Sequence, residues 1–432
     1  MRGGPGADPR PSWPLELPQD VNSPLRSAAA LVVNGGLTSG LGVVYWVLAA
    51  RLYPIADVGR NASLVSALVL LSAVSQLNYS RSLAVLLPAA PGDARRVLLG
   101  AYRRSASLAV VVGLSFVVVA PWASGRLAYL RDDWLPLLFP VAVALWVVFS
   151  LQDAALISMN AAQLVPVENV AYGVAKLALL LAFWRMHWLS LGIFASWVLP
   201  LLLCVPAVTV VLWRRVLPAP ESPTTEPAVT RSRSSWFWLD VAGTYVYLLG
   251  TAPLSIVVLA VLGPVAAAAF YLPATVASTV ELVAFAVGNV LTADLTRHHG
   301  MAHEGSRRLT RFTLVAVVVL AVSCAVVAPH LLGLLGHESA YRRGGVVLVC
   351  FLLAAAPRTM LVLSLATLRA QRRGGRILAV QVVTVAVTAA VMLALVPALG
   401  LDGVGVGWLL GSLVGCLAAI AMRRVHVVGV VS

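Results

Sequence analysis

Residues Leu52 to Leu64 read L-Y-P-I-A-D-V-G-R-N-A-S-L, and from Leu262 to Ala274 the chain reads L-G-P-V-A-A-A-A-F-Y-L-P-A. Both segments join one long apolar run to the next, and both open on L-x-P-I/V-A. A second pair tests the register. Gly192 to Leu199 (G-I-F-A-S-W-V-L) matches Gly403 to Leu410 (G-V-G-V-G-W-L-L) at nearly the same offset, which sets Trp197 over Trp408. Two matches in one register predict a duplicated chain, two halves of about six apolar segments each. In that frame Leu52 to Leu64 is the outer turn between the first two spans, with the second span running from about Ala62 to Pro88.

Composition fixes the solvent. The chain is 60% hydrophobic and 11% charged, with a mean hydropathy of +0.91. A soluble domain is about 45–50% apolar and roughly 25% charged. Too few polar groups are present to cover a surface in water, so the chain belongs in a bilayer. The net charge of +14 is not a nucleic-acid signature, because the basic residues sit in short clusters between apolar runs, as in the loops of a membrane protein. Thirty of the 31 basic residues are Arg and only Lys176 is Lys, which reads as the codon bias of a GC-rich bacterial genome. Cys204, Cys324, Cys350 and Cys416 each fall in a different apolar run, so neither a disulfide framework nor a metal site is indicated, and no cofactor is expected. The Pro-rich start reads as a polar tail rather than a signal peptide.

The predicted fold is all-α and polytopic, about twelve transmembrane helices in two parallel six-helix repeats. The boundaries are a tail at 1–26, an N-lobe at 27–213, a linker at 214–235, a C-lobe at 236–422 and a tail at 423–432. With the N-terminus in the cytoplasm, the inner tails and loops carry 21 basic residues and the outer loops 7, and Arg81, Lys176 and Arg358 lie inside spans. That bias predicts both termini inside. An even number of spans per half then makes the repeats parallel, related by an axis along the membrane normal.

An ionisable group at mid-bilayer costs about 2.5–3.5 kcal/mol on insertion scales, so each one is a functional candidate. Lys176 is about eleven residues into the fifth span and Arg358 about fourteen into the tenth, both near mid-depth at roughly 1.5 Å per residue. Facing a shared cavity they would form a cationic site for phosphate or pyrophosphate; the alternative is that each pairs with a buried carboxylate. Glu168, Tyr172 and Lys176 share a helix face. The eighth span carries Thr275, Ser278, Glu281 and Asn289 on one stripe. Glu281, and Asp153 in the fourth span, are candidates for ion coupling, with pairing to a neighbouring Arg as the alternative. Arg81 follows a polar run (Ser75 to Ser80) that points to a cavity. Asn34, with Gly35, Gly36, Thr38, Ser39, Gly40 and Gly42, makes the first span small and polar. Gly243, Thr244, Tyr245, Tyr247, Gly250, Thr251 and Pro253 do the same for the seventh. Such residues permit close helix packing, or line a transporter's central site when matched between repeats; their symmetry favours the cavity. His298, His299, His303 and Glu304 read as a solvated charge run rather than a metal site. Gly403, Gly405 and Gly407 follow no strand, so they are not a dinucleotide loop, and the absence of a Walker lysine motif excludes ATP hydrolysis by a P-loop.

Twelve spans in two parallel halves, with L-x-P-I/V-A between the first two of each half, resemble the polysaccharide transporter (Wzx-type flippase) family of the multidrug/oligosaccharidyl-lipid/polysaccharide exporter superfamily, whose fold is MATE-like. Ala50 through Arg81, Leu262-Gly263-Pro264 with Phe270-Tyr271, and Val396 to Gly407 carry the likeness; Pro397, Gly400 and Gly403 match the family's P-x-x-G-x-x-G before its last span. The resemblance implies a flippase, not an enzyme, in the bacterial inner membrane. Its partners would be an undecaprenyl-pyrophosphate-linked oligosaccharide, membrane lipids and a coupling proton or sodium ion, and it would work by alternating access. Lys176, Arg358, Arg81 and Asn34 are the substrate-site candidates, the three cations chosen by depth and charge. One departure stands out: drug exporters of the superfamily often carry an acid in the first span, where this chain has Asn34. Drug or lipid II export on the same fold is the alternative within transport. A polytopic glycosyltransferase would need carboxylates in a sizeable outer loop, and only Asp132-Asp133 is there.

Overall fold

The computed structural model describes residues 22–89, 91–132, 134–159, 161–217, 235–297, 304–335 and 341–424. Every regular element among them is helical. This is what a lipid environment demands of such apolar runs, because a helix satisfies its backbone groups internally. The first half contains α1 (Asn22–Leu52), α2 (Ile55–Ser75), α3 (Tyr79–Ala89), α4 (Ala94–Ala123), α5 (Leu135–Ser158), α6 (Leu164–Arg185), α7 (Gly192–Val198) and α8 (Leu201–Val211). The second contains α9 (Ser235–Thr251), α10 (Leu254–Leu262), α11 (Pro264–Arg297), α12 (Glu304–Leu335), α13 (Gly345–Ala370), α14 (Gly374–Leu399) and α15 (Leu401–Arg424). Ten spans among the described residues are long and apolar enough to cross a membrane. Two of them, Gly192–Val216 and Trp238–Leu262, run through paired shorter helices. Large side chains stand bare on the flanks, among them Trp122, Leu137, Leu203 and Leu393, each at least 75% exposed. An apolar surface of that extent belongs against lipid.

The turn read at Leu52 to Leu64 is shorter than the sequence implies. Helix α1 runs to Leu52, Tyr53 and Pro54 make the turn, and α2 begins at Ile55. Proline is tolerated at a helix start because no intrahelical partner is lost there. The polar residues that look like a loop are used inside the helix. Arg60 pairs with Asp57 one turn back at 3.8 Å. The Asn61 amide donates to the carbonyls of Asp57 (2.7 Å) and Ser190 (2.8 Å), and its Oδ1 accepts from the backbone N–H of Phe194 in α7 (2.9 Å). The second copy has the same form. Gly263, at φ 96°, ends α10 in a conformation that favours glycine, and α11 starts on Pro264. The second span is also broken rather than continuous to Pro88. Leu77 and Asn78 both take positive φ (49° and 60°), so α2 stops at Ser75 and the chain turns into the short α3.

The halves meet tightly at the end where α1 turns into α2, the charge-poor end. A Cβ on Gly59 of α2 would lie 1.8 Å from the Pro264 carbonyl oxygen; only glycine permits this approach. Ser63 Oγ reaches the Ser255 carbonyl across the halves (3.1 Å). A 3-10 turn at Gly125–Arg131 lies against the end of α10, where Ser124 Oγ donates to the Ala260 carbonyl (3.0 Å) and Arg126 to that of Val261.

Candidate substrate site between the two halves

Lys176 sits on α6 and is 7% exposed. Its ammonium lies 4.0 Å from the ring centre of Trp197, 4.8 Å from Tyr45 and 5.3 Å from Tyr172. The cage is locked by its own hydrogen bonds: Tyr45 Oη shares a proton with Ser196 Oγ (2.7 Å), and Tyr172 donates to the Trp197 carbonyl (2.9 Å). Among the described residues Lys176 has no carboxylate within ion-pair distance. Glu168, two turns away on the same helix, is itself buried with neither carboxyl oxygen hydrogen-bonded, because Tyr172 occupies the turn between them. A buried ammonium over an aromatic face gains about 2 kcal/mol or more, which offsets part of its desolvation.

Arg358 on α13 is 4% exposed and is compensated. Its guanidinium makes a double contact with Glu281 of α11, Nη2 lying 2.8 Å from Oε2, and it donates to the Tyr247 hydroxyl. Its carbon lies 4.2 Å from the ring centre of Trp408. Thus the two tryptophans in one sequence register each carry a buried cation, although the cations come from different spans. The pairing alternative applies to Arg358 and Glu281, which the sequence had placed in separate roles. It does not apply to Lys176.

A chain of rings links the two sites. Trp197 lies 6.3 Å from Trp46 of α1, and Trp46 lies 4.4 Å from Tyr271 of α11. Tyr271 borders a cavity of about 200 Å³ that also touches Ser66, Tyr247, Thr251, Ser255, Ser278, Glu281, Phe351, Arg358 and Trp408. Arg358 therefore faces this cavity, while Lys176 is separated from it by the rings. The Ser66 contact means that both halves contribute walls.

Asp153 is on α5 near the charge-rich end, half-buried, with both carboxyl oxygens 3.4 Å from the Asn169 amide and no cation among the described residues. It is not part of the cavity. Asn34 lies on α1 and Arg81 on α3, but their side chains fall outside the described residues, as do His298, His299, His303 and Asp133. The matched small-residue spans divide in use. In the first half, Cβ atoms on Gly35, Gly40 and Gly42 would meet nothing within 4 Å. In the second, a Cβ on Gly243 would lie 3.1 Å from Leu378 Cα and one on Gly250 2.3 Å from Val385 Cγ1 of α14, so these glycines serve packing while Tyr247 and Thr251 face the cavity. Trp408 and Tyr271 were missed as site residues. The signal was present, since each lies in a repeat match.

The fold has solved relatives. An inward-facing multidrug-resistance MATE family transporter of the MOP superfamily superposes with a TM-score of 0.64 at 12% identity, covering 92% of this chain and 97% of that one. A MOP superfamily transporter from Pyrococcus furiosus, whose binding pocket is described as of reversed polarity, gives 0.63 at 13% identity over 94% and 97%. An outward-facing multidrug-resistance MATE family transporter gives 0.56 at 13% identity over 93% and 95%. No family model matches the chain. No curated protein matches it in sequence. The chain therefore has the fold of the MATE transporters of the MOP superfamily, all-helical and crossing the membrane many times.

Proposed function

We propose that this protein is a carrier that moves an amphiphile with an anionic link, a lipid-pyrophosphate oligosaccharide, from the inner to the outer leaflet by alternating access. The observation that carries the reading is Lys176, a buried ammonium held among three rings with no acid to neutralise it among the described residues. A phosphate oxygen is the natural counter-charge for such a group. The closed charge-poor end supports a state open toward the charge-rich side. That side is the cytoplasm if the basic bias holds.

Export of a cationic drug, the alternative that the multidrug-resistance MATE structure suggests, fits less well. The acid on the cavity wall, Glu281, is already engaged by Arg358. The test is Lys176→Gln in cells that depend on this protein for surface glycan. Export should fall at least tenfold while the protein still reaches the membrane. Wild-type glycan from a folded Lys176→Gln protein would sink the reading.

A further inference from the structure

The cavity beside Arg358 differs in chemistry from the Lys176 cage. Its charged wall is a closed pair, Arg358 with Glu281, so it presents no net charge. Two of its buried polar atoms lack a partner. Ser255 Oγ, on a residue 4% exposed, and Trp408 Nε1 are both without a hydrogen bond. Neither atom is open to water, so the polar groups that the cavity offers a ligand are the hydroxyls of Ser66, Tyr247, Thr251 and Ser278, none of them on a fully buried residue. Around them stand the rings of Tyr271 and Phe351.

These demands define a ligand. The lining hydroxyls can each donate or accept. An inorganic anion offers few donors and would place uncompensated charge beside Glu281. An organic cation would place uncompensated charge beside Arg358. A polyhydroxylated ring supplies donors and acceptors together and lays its C–H face on aromatic walls, which are apolar on their faces. Size agrees: about 200 Å³ lies below the roughly 300–1,000 Å³ of pockets for drug-sized ligands and suits one ring-sized unit.

We infer that this cavity is a subsite for a single uncharged sugar of the cargo, with Arg358 and Glu281 acting together as a hydroxyl clamp rather than as an anion site. The inference deepens the carrier reading by dividing the cargo: anionic link toward Lys176, neutral sugar toward Trp408. It also reassigns Arg358 from pyrophosphate to glycan.

The test uses full-length protein in nanodiscs, with the four native cysteines replaced and Ser278→Cys placed on the cavity wall. Alkylation of that thiol by a small maleimide is followed with three probes: neutral methyl glycosides of several hexoses, inorganic pyrophosphate, and tetraphenylphosphonium. At least one glycoside should slow alkylation fivefold or more, with half-effect in the millimolar range, while the two ions leave the rate unchanged. Adding Trp408→Phe should weaken that protection severalfold. Trp122→Phe, on the bare flank, should leave it intact and serves as the control for folding. Protection by pyrophosphate or by the organic cation, or by no glycoside up to solubility, would overturn the inference. The outcome is separable from the carrier reading: glycoside protection with normal glycan export by Lys176→Gln removes the anion site and keeps the sugar site, and the reverse pattern does the opposite.

Discussion

The two halves solve one problem in two ways. Each buries a cation against the tryptophan of the same repeat register, Lys176 on Trp197 and Arg358 on Trp408. In the second half the charge is closed by Glu281 and Tyr247. In the first it is left to aromatic faces alone. A buried pair contributes little net stability but becomes costly when one partner is removed, whereas a lone buried cation is a standing cost that can be relieved by removing it. The difference separates a neutral, structurally fixed wall from a group kept ready for a counter-charge.

The comparison can be broken most severely at Glu281. Glu281→Gln strands the Arg358 guanidinium and should destabilise the protein by about 3–5 kcal/mol, read as a lower melting midpoint in detergent. The double change Glu281→Gln with Arg358→Gln should recover more than half of the loss. Equal midpoints for the single and double variants would mean that the two charges are not coupled. Lys176→Met should behave oppositely, with no fall in the melting midpoint despite lost export, because no buried acid is stranded.

Next in size is the contact between the halves. Gly59→Ala places a methyl against the Pro264 carbonyl, where the Cβ would sit at 1.8 Å, and overpacking costs about 1–3 kcal/mol. Since the clash lies between halves, the cost falls on the state closed at the charge-poor end. In a cysteine-free background, Ser63→Cys should react with a membrane-impermeant maleimide added outside several times faster when Gly59→Ala is present. An unchanged rate would show that this end does not open by parting α2 from α11.

The smallest expected effect separates the latch from the site. Arg126→Ala removes a bond to the end of α10 worth about 0.5–1.5 kcal/mol. It should raise the same labelling rate modestly and leave glycoside protection of Ser278→Cys untouched, because Arg126 is not among the cavity residues.

Much of this was legible in the chain. The apolar runs were read directly, and the all-helical MATE-type fold followed. The turn at Leu52–Leu64 was misjudged because Asp57, Arg60 and Asn61 look like loop residues. Hydropathy does not reveal that Asn61 will bridge to α7 or that Arg60 will fold back on Asp57. The small-residue spans were assigned to cavity lining with close packing as the alternative, and Gly243 and Gly250 pack against α14 while Gly35, Gly40 and Gly42 meet nothing within 4 Å, since a glycine's role depends on whether a neighbouring helix stands opposite it.

By itself, the sequence determined that the chain is helical and crosses a membrane many times, and it set the expectations of a duplication and of a similar depth for Lys176 and Arg358. These are properties of composition, spacing and helical rise, all local to the chain. Only the tertiary structure decided that Arg358 meets Glu281, 77 positions away in the chain, while Lys176 meets three rings and, among the described residues, no acid. Which face of a helix turns toward which neighbour is set by the packing of the whole bundle, and no local pattern carries it.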